Sequence, residues 1–130
     1  MRYSWSRSCK FSDLLGKTLT RIDVTKDTGD DEIRFICEEG TFIMCHDQDC
    51  CESVTIESIE SDIQSLVGNV ILKADERSQR GESDWGTSTW TFYSLATIKG
   101  YVDIRWFGES NGYYSESVDM YFYPAGEEIK

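Results

Sequence analysis

Residues 45–52, Cys45-His46-Asp47-Gln48-Asp49-Cys50-Cys51-Glu52, hold the only histidine and three of the five cysteines. Thiolates and imidazole are zinc ligands, and a cysteine beside a histidine can form a nucleophile–base pair. The spacing is poor for a metal site, and nothing supplies the oxyanion hole that a nucleophile would need. Neighbouring residues of a strand point to opposite faces, so Cys45 with His46, or Cys50 with Cys51, do not converge on one ion. Structural zinc sites draw ligand pairs from separate segments, and only Cys9 and Cys37 remain for a second pair. No nucleophile elbow, P-loop, G-x-G-x-x-G or H-E-x-x-H motif occurs. The expectation is reduced structural thiols, a structural histidine, no metal, no cofactor and no catalytic residue.

The second concentration of chemistry is aromatic. Residues 85–123 hold twelve of the seventeen aromatic residues. On a strand at 101–107, Val102, Ile104 and Trp106 face one side, while Tyr101, Asp103, Arg105 and Phe107 face the other. An arginine among aromatic rings can hold a phosphate with its planar fork while the rings stack on a base. The loop Gly108 to Gly112 adds backbone N–H groups and the Asn111 amide, which read polar edges. The ligand-binding candidates are Arg105, Phe92, Trp90, Phe107, Asn111 and Tyr113. The alternative is an ordinary sheet with Arg105 paired to Glu109 or Glu116.

These residues need a scaffold of strands. Alternating apolar positions at 17–26, 32–38 and 41–46, around turns at TGDD and Glu39-Gly40, read as a meander. Ile56, Ile59, Ile63, Leu66 and Val67 follow helical spacing and stop at Gly68-Asn69, predicting a helix from Glu57 to Val67. Residues 70–75 read as a strand and the polar stretch 76–84 as a flexible loop. Three more strands follow at 89–98, 101–107 and 113–123, the first two joined at Lys99-Gly100. The fold class is α+β: a mostly antiparallel sheet of about seven strands with one or two short helices. At 130 residues a single domain over 1–130 is expected.

Charge narrows the partners. The chain carries −11, and Asp27 to Asp62 alone holds twelve acidic residues against one basic, Arg34. The remainder is balanced, with a basic stretch over the first 26 residues. Such a balance argues against double-stranded nucleic acid, whose phosphates are bound by Lys and Arg. No run reaches the roughly 18 apolar residues of a membrane span, and the N-terminus lacks an apolar block with a cleavage site. The acidic segment reads as a solvated face. A second reading is a decoy that inhibits a host nucleic-acid-binding factor by charge mimicry.

Two stretches, HDQDCCESVTIESI (46–59) and WTFYSLATIKGYVDIRWFGESNGYYSESV (90–118), resemble a small phage family, the first type of Thoeris anti-defence protein. The resemblance implies a phage-encoded protein of the host cytoplasm. Its function would be to bind a cyclic ADP-ribose signal, and in some members cyclic oligonucleotides, without cleaving it. Bacterial TIR-based immunity would then stay silent. It also implies a homo-oligomer, dimer or hexamer, with the aromatic-plus-arginine block as the pocket.

Overall fold

The computed structural model describes residues 3–130. Its strands are β1 (Leu19–Thr25), β2 (Glu32–Cys37), β3 (Gly40–Cys45), β4 (Glu52–Glu60), β5 (Lys73–Glu82), β6 (Thr87–Thr97), β7 (Gly100–Ser110) and β8 (Asp119–Pro124). They form two four-stranded antiparallel sheets, ordered β1-β2-β3-β8 and β4-β7-β6-β5. Strand alternation supplies each sheet with one apolar face. Ile22, Ile33, Phe35, Phe42, Met44 and Met120 of the first sheet join Val54, Ile56, Tyr93, Leu95, Val102, Ile104 and Trp106 of the second in one buried cluster. Trp106, which is almost wholly buried, donates its indole N–H to Met44 Sδ across the interface at 3.1 Å. This polar anchor lets a large ring fill the space between sheets.

Mostly antiparallel β structure is thus what forms, with eight strands and only short 3-10 turns among the described residues. The helix expected over 57–67 is replaced by the end of β4 and a 3-10 turn at Ile63–Leu66. A β-bulge between Ile56 and Ser58 explains the misreading. An extra residue on one strand shifts its alternation, so Ile56 and Ile59 both face the core although they are three apart. That spacing mimics a helix. The loop expected over 76–84 is instead β5 up to Glu82, paired residue by residue with β6. Only Ala74 of β5 is buried, so the strand carries no apolar alternation to betray it. At the C-terminal end β7 runs on to Ser110, and residues 111–118 are a loop, so the strand expected over 113–123 begins only at Asp119. The strand expected from Val70 begins at Lys73, and Val70 makes only an isolated bridge to Thr18.

Both hairpin turns fall one residue earlier than expected, at Glu38-Glu39 and Ile98-Lys99. Gly40 therefore starts β3, with φ +155° and no room for a side chain: a Cβ there would lie 2.2 Å from the Tyr123 carbonyl oxygen. The outer face of the first sheet is roofed by the chain termini. Tyr3 packs on Tyr121 and Tyr123, and its hydroxyl donates to Glu32 at 2.8 Å. Among the described residues the second sheet has no such roof over its aromatic face.

Candidate functional site

The outward face of the second sheet is ordered in rows by strand register. Gln79, Trp90, Phe107 and Thr55 lie side by side, then Arg77, Phe92, Arg105 and Ser58, then Asp75, Ser94, Asp103 and Glu60. Successive rows are two residues apart along β5, β6 and β7, about 6.8 Å, while on β4 the bulge makes Thr55 and Ser58 three apart. The face therefore passes from aromatic to cationic to carboxylate along the strands.

Four of the six candidates meet here. The Trp90 and Phe107 rings are 4.6 Å apart, and Trp90 stacks within 13° of Phe92 at 6.3 Å. Arg105 places its guanidinium carbon 5.9 Å from the Trp90 ring centre and 5.7 Å from that of Phe92. On the other side Arg77 lies 4.6 Å from the same Phe92 ring. The three rings are half-buried and both arginines exposed. Two aromatic-supported guanidinium groups thus bracket one phenyl ring, each with its polar edge open to solvent. Shallow depressions surround Phe92: one of about 140 Å³ lined by Arg77, Arg105, Asp103 and Glu60, another of about 270 Å³ lined by Gln79, Trp90 and Arg105.

Asn111 and Tyr113 do not join them. Both lie in the turn after β7, where Asn111 Oδ1 accepts the Tyr113 backbone N–H at 3.0 Å and the Tyr113 ring is 90% exposed. Arg77 and Gln79 were missed because their segment reads as a loop. The only signal was the alternation of Arg77 and Gln79 within a charged stretch, which a solvated segment shows equally well.

The pairing of Arg105 with Glu109 or Glu116 does not form. Glu109 lies two rows away, and Glu116 is buried on the other side of the sheet. There Glu116 accepts hydroxyl hydrogen bonds from Ser110 and Thr87 at 2.5 Å and from Thr89 at 2.9 Å. Burial pushes the Glu116 carboxyl up, but these hydroxyls and the charge of Arg80 outweigh it and hold the carboxyl below its ordinary range. Glu116 fastens the 111–118 loop to the end of the sheet.

The Cys/His segment is tied into contacts of its own. Cys50 and Cys51 are joined in a disulfide, correcting the expectation of reduced thiols there. Adjacent residues that cannot share an ion can still bond to each other. Buried His46 has Nδ1 2.6 Å from the Ser117 carbonyl and Nε2 3.4 Å from Glu52 Oε2. Glu52 is the hub, accepting from the Cys50 N–H at 2.9 Å and the Gln48 amide at 2.9 Å. Burial raises its pKa, yet the N–H donors of the loop and His46 bring it below the usual value. No group of three or more His, Cys, Asp or Glu among the described residues is placed to hold a metal ion.

The acidic segment is not all solvated. Asp31, Glu32 and Glu52 are buried connectors, Asp31 taking the Ile56 N–H at 2.8 Å. Several basic residues of the N-terminal stretch pair within the chain, as Lys17 does with Glu39 at 3.4 Å. No helix among the described residues is long and apolar enough to cross a membrane.

Residues 12–120 match the family model described as Domain of unknown function (DUF7448). Neither a curated protein nor a solved structure matches the chain.

Proposed function

The chain belongs to the DUF7448 family, and we propose that it is a sponge for a small nucleotide signal of the cyclic ADP-ribose kind, held and not cleaved. The observation that carries this is the row order on the open face of the second sheet. Such a ligand has a base that stacks, a pyrophosphate that needs cations, and ribose hydroxyls that donate to carboxylates. Trp90 and Phe107 would take the base. Arg77 and Arg105, on either side of Phe92, would take one phosphate each or share both. Asp103, already accepting from the Ser94 hydroxyl at 2.8 Å, and Glu60 would take ribose hydroxyls.

The charge of −11 is compatible with an anionic ligand. Screening over about 8–10 Å leaves the two arginines in control of their surroundings. Storage rather than turnover is supported by what surrounds the reactive groups: the Cys50 and Cys51 sulfurs are bonded to each other, and Glu52 and Glu116 are occupied in holding loops. By resemblance, the protein would be phage-encoded and act in the host cytoplasm as a homo-oligomer, blocking Thoeris immunity.

The test is recovery of the ligand. Protein is incubated with cyclic ADP-ribose isomers, washed and denatured by heat, and the released nucleotide is identified by mass and chromatography. Intact nucleotide in near-stoichiometric amount supports capture. Altered nucleotide would mean an enzyme, and no retained nucleotide would refute the reading.

A further inference from the structure

The depression beside Phe92 is lined at once by two cations, Arg77 and Arg105, and two carboxylates, Asp103 and Glu60. Strand register sets their order. The arginines lie in one row and the carboxylates in the next, about 6.8 Å along the strands. Side chains of this length can reach across one row, yet among the described residues none of the four enters an ion pair. Both guanidinium groups lie against the Phe92 ring instead, their carbons 4.6 and 5.7 Å from its centre. The third carboxylate of the row, Asp75, is answered by Lys73 at 3.7 Å. Asp103 accepts the Ser94 hydroxyl at 2.8 Å, which leaves most of its lone pairs open, and Glu60 is exposed.

A ligand seated here is sorted by what it carries one row away from its phosphates. In a nucleotide the ribose holds its hydroxyls off the 5′-phosphate by a distance comparable to the row spacing. A hydroxyl at the carboxylate row donates a hydrogen bond to Asp103 or Glu60. A phosphate monoester at the same place brings a charge of about −1.5 to −2 and accepting oxygens. It would set acceptor against acceptor and like charge against like charge at contact distance. The guanidinium groups would not relieve this, since the pyrophosphate engages them one row away. Dinucleotide-binding folds make the same choice, a carboxylate taking a free ribose hydroxyl and an arginine taking a ribose phosphate.

We propose that Asp103 and Glu60 make this face selective for nucleotides whose ribose hydroxyls are free, and that they reject the same nucleotides bearing a ribose 2′-phosphate. This selectivity rests on the reading of the face as a nucleotide site, and adds to it the group that is excluded and the residues that exclude it. Specificity of this kind is a difference of affinities, obtained by placing a repulsive element against the competitor. Charge and not size does the excluding, because the depression is shallow and both carboxylates stand at its open side.

Calorimetric titration of the full-length protein with cyclic ADP-ribose and with cyclic ADP-ribose 2′-phosphate gives the ratio of the two dissociation constants. Wild type is expected to prefer the unphosphorylated ligand about tenfold or more. Asp103→Asn combined with Glu60→Gln removes both charges, keeps their shape and leaves an acceptor for Ser94, and should bring the ratio close to one. Glu60→Lys, at an exposed position, should turn the preference toward the phosphorylated ligand. Added salt should narrow the wild-type ratio by screening the repulsion. Asp30→Asn, which removes a charge from the β1–β2 connection of the other sheet, should leave the ratio unchanged. Equal binding of the two ligands by wild type would overturn the selectivity and leave capture standing. A preference that the double variant keeps, that salt does not narrow, or that Asp30→Asn abolishes equally would trace it to shape or net charge and overturn it as well. Binding of neither ligand would remove the capture reading, and the selectivity with it.

Discussion

Replacing Arg105 with alanine probes the ligand face directly. Arg105 is exposed, and among the described residues its side chain makes two ring contacts, with Trp90 and Phe92. Exposed cation–π contacts contribute about 0.5–1 kcal/mol each, so the loss of stability should stay within roughly 1–2 kcal/mol. Losing one charged hydrogen bond to a phosphate costs about 1.5–3 kcal/mol, a factor of roughly 10 to 150 in affinity. Arg77→Ala should behave alike, since Arg77 stands over the same ring at 4.6 Å. The double variant separates two arrangements. If each arginine holds its own phosphate, the losses add; if both hold one phosphate, the second loss is smaller than the first. Arg105→Lys should recover only part of the affinity, because an ammonium offers neither the planar fork nor ring stacking. Calorimetric titration with cyclic ADP-ribose isomers reads all four proteins, with inorganic phosphate as the control for bare anion binding. Unchanged affinity in both single alanine variants, with fold intact, would remove the ligand from this face.

Other consequences concern the scaffold. Trp106→Ala should cost about 3–5 kcal/mol in urea unfolding, since it empties the space between sheets and strips Met44 of its donor. Gly108→Ala should destabilise measurably, because a Cβ there meets the Glu116 carbonyl oxygen at 2.8 Å and Val54 Cγ2 at 3.1 Å. Glu116 has a folded pKa below its unfolded value near 4.3, so its contribution is complete above that value and lost as pH falls through the folded one. The melting temperature of wild type should therefore drop on acidification below about pH 4.3, and Glu116→Gln, already less stable at neutral pH, should show a shallower drop.

How much of this was legible depends on whether local pattern and tertiary role agree. Strands β2, β6 and the middle of β7 bury alternate residues over most of their length, and their period of two is visible in the chain. The same alternation on β7 placed Arg105 and Phe107 on one face, and four of the six candidate residues share that face. Where a strand departs from half-burial, its signal fails. β5 buries only Ala74, so its ten positions look like a loop and hide Arg77 and Gln79. At β4 a single inserted residue gave Ile56 and Ile59 the spacing of a helix. Composition showed that aromatic residues and an arginine were concentrated together. Only strand order decided that β5 flanks β6, so that a second arginine from a distant segment brackets Phe92. Neighbourhood across a sheet is a property of pairing between segments, and a residue's local sequence carries no record of which strand will lie beside it.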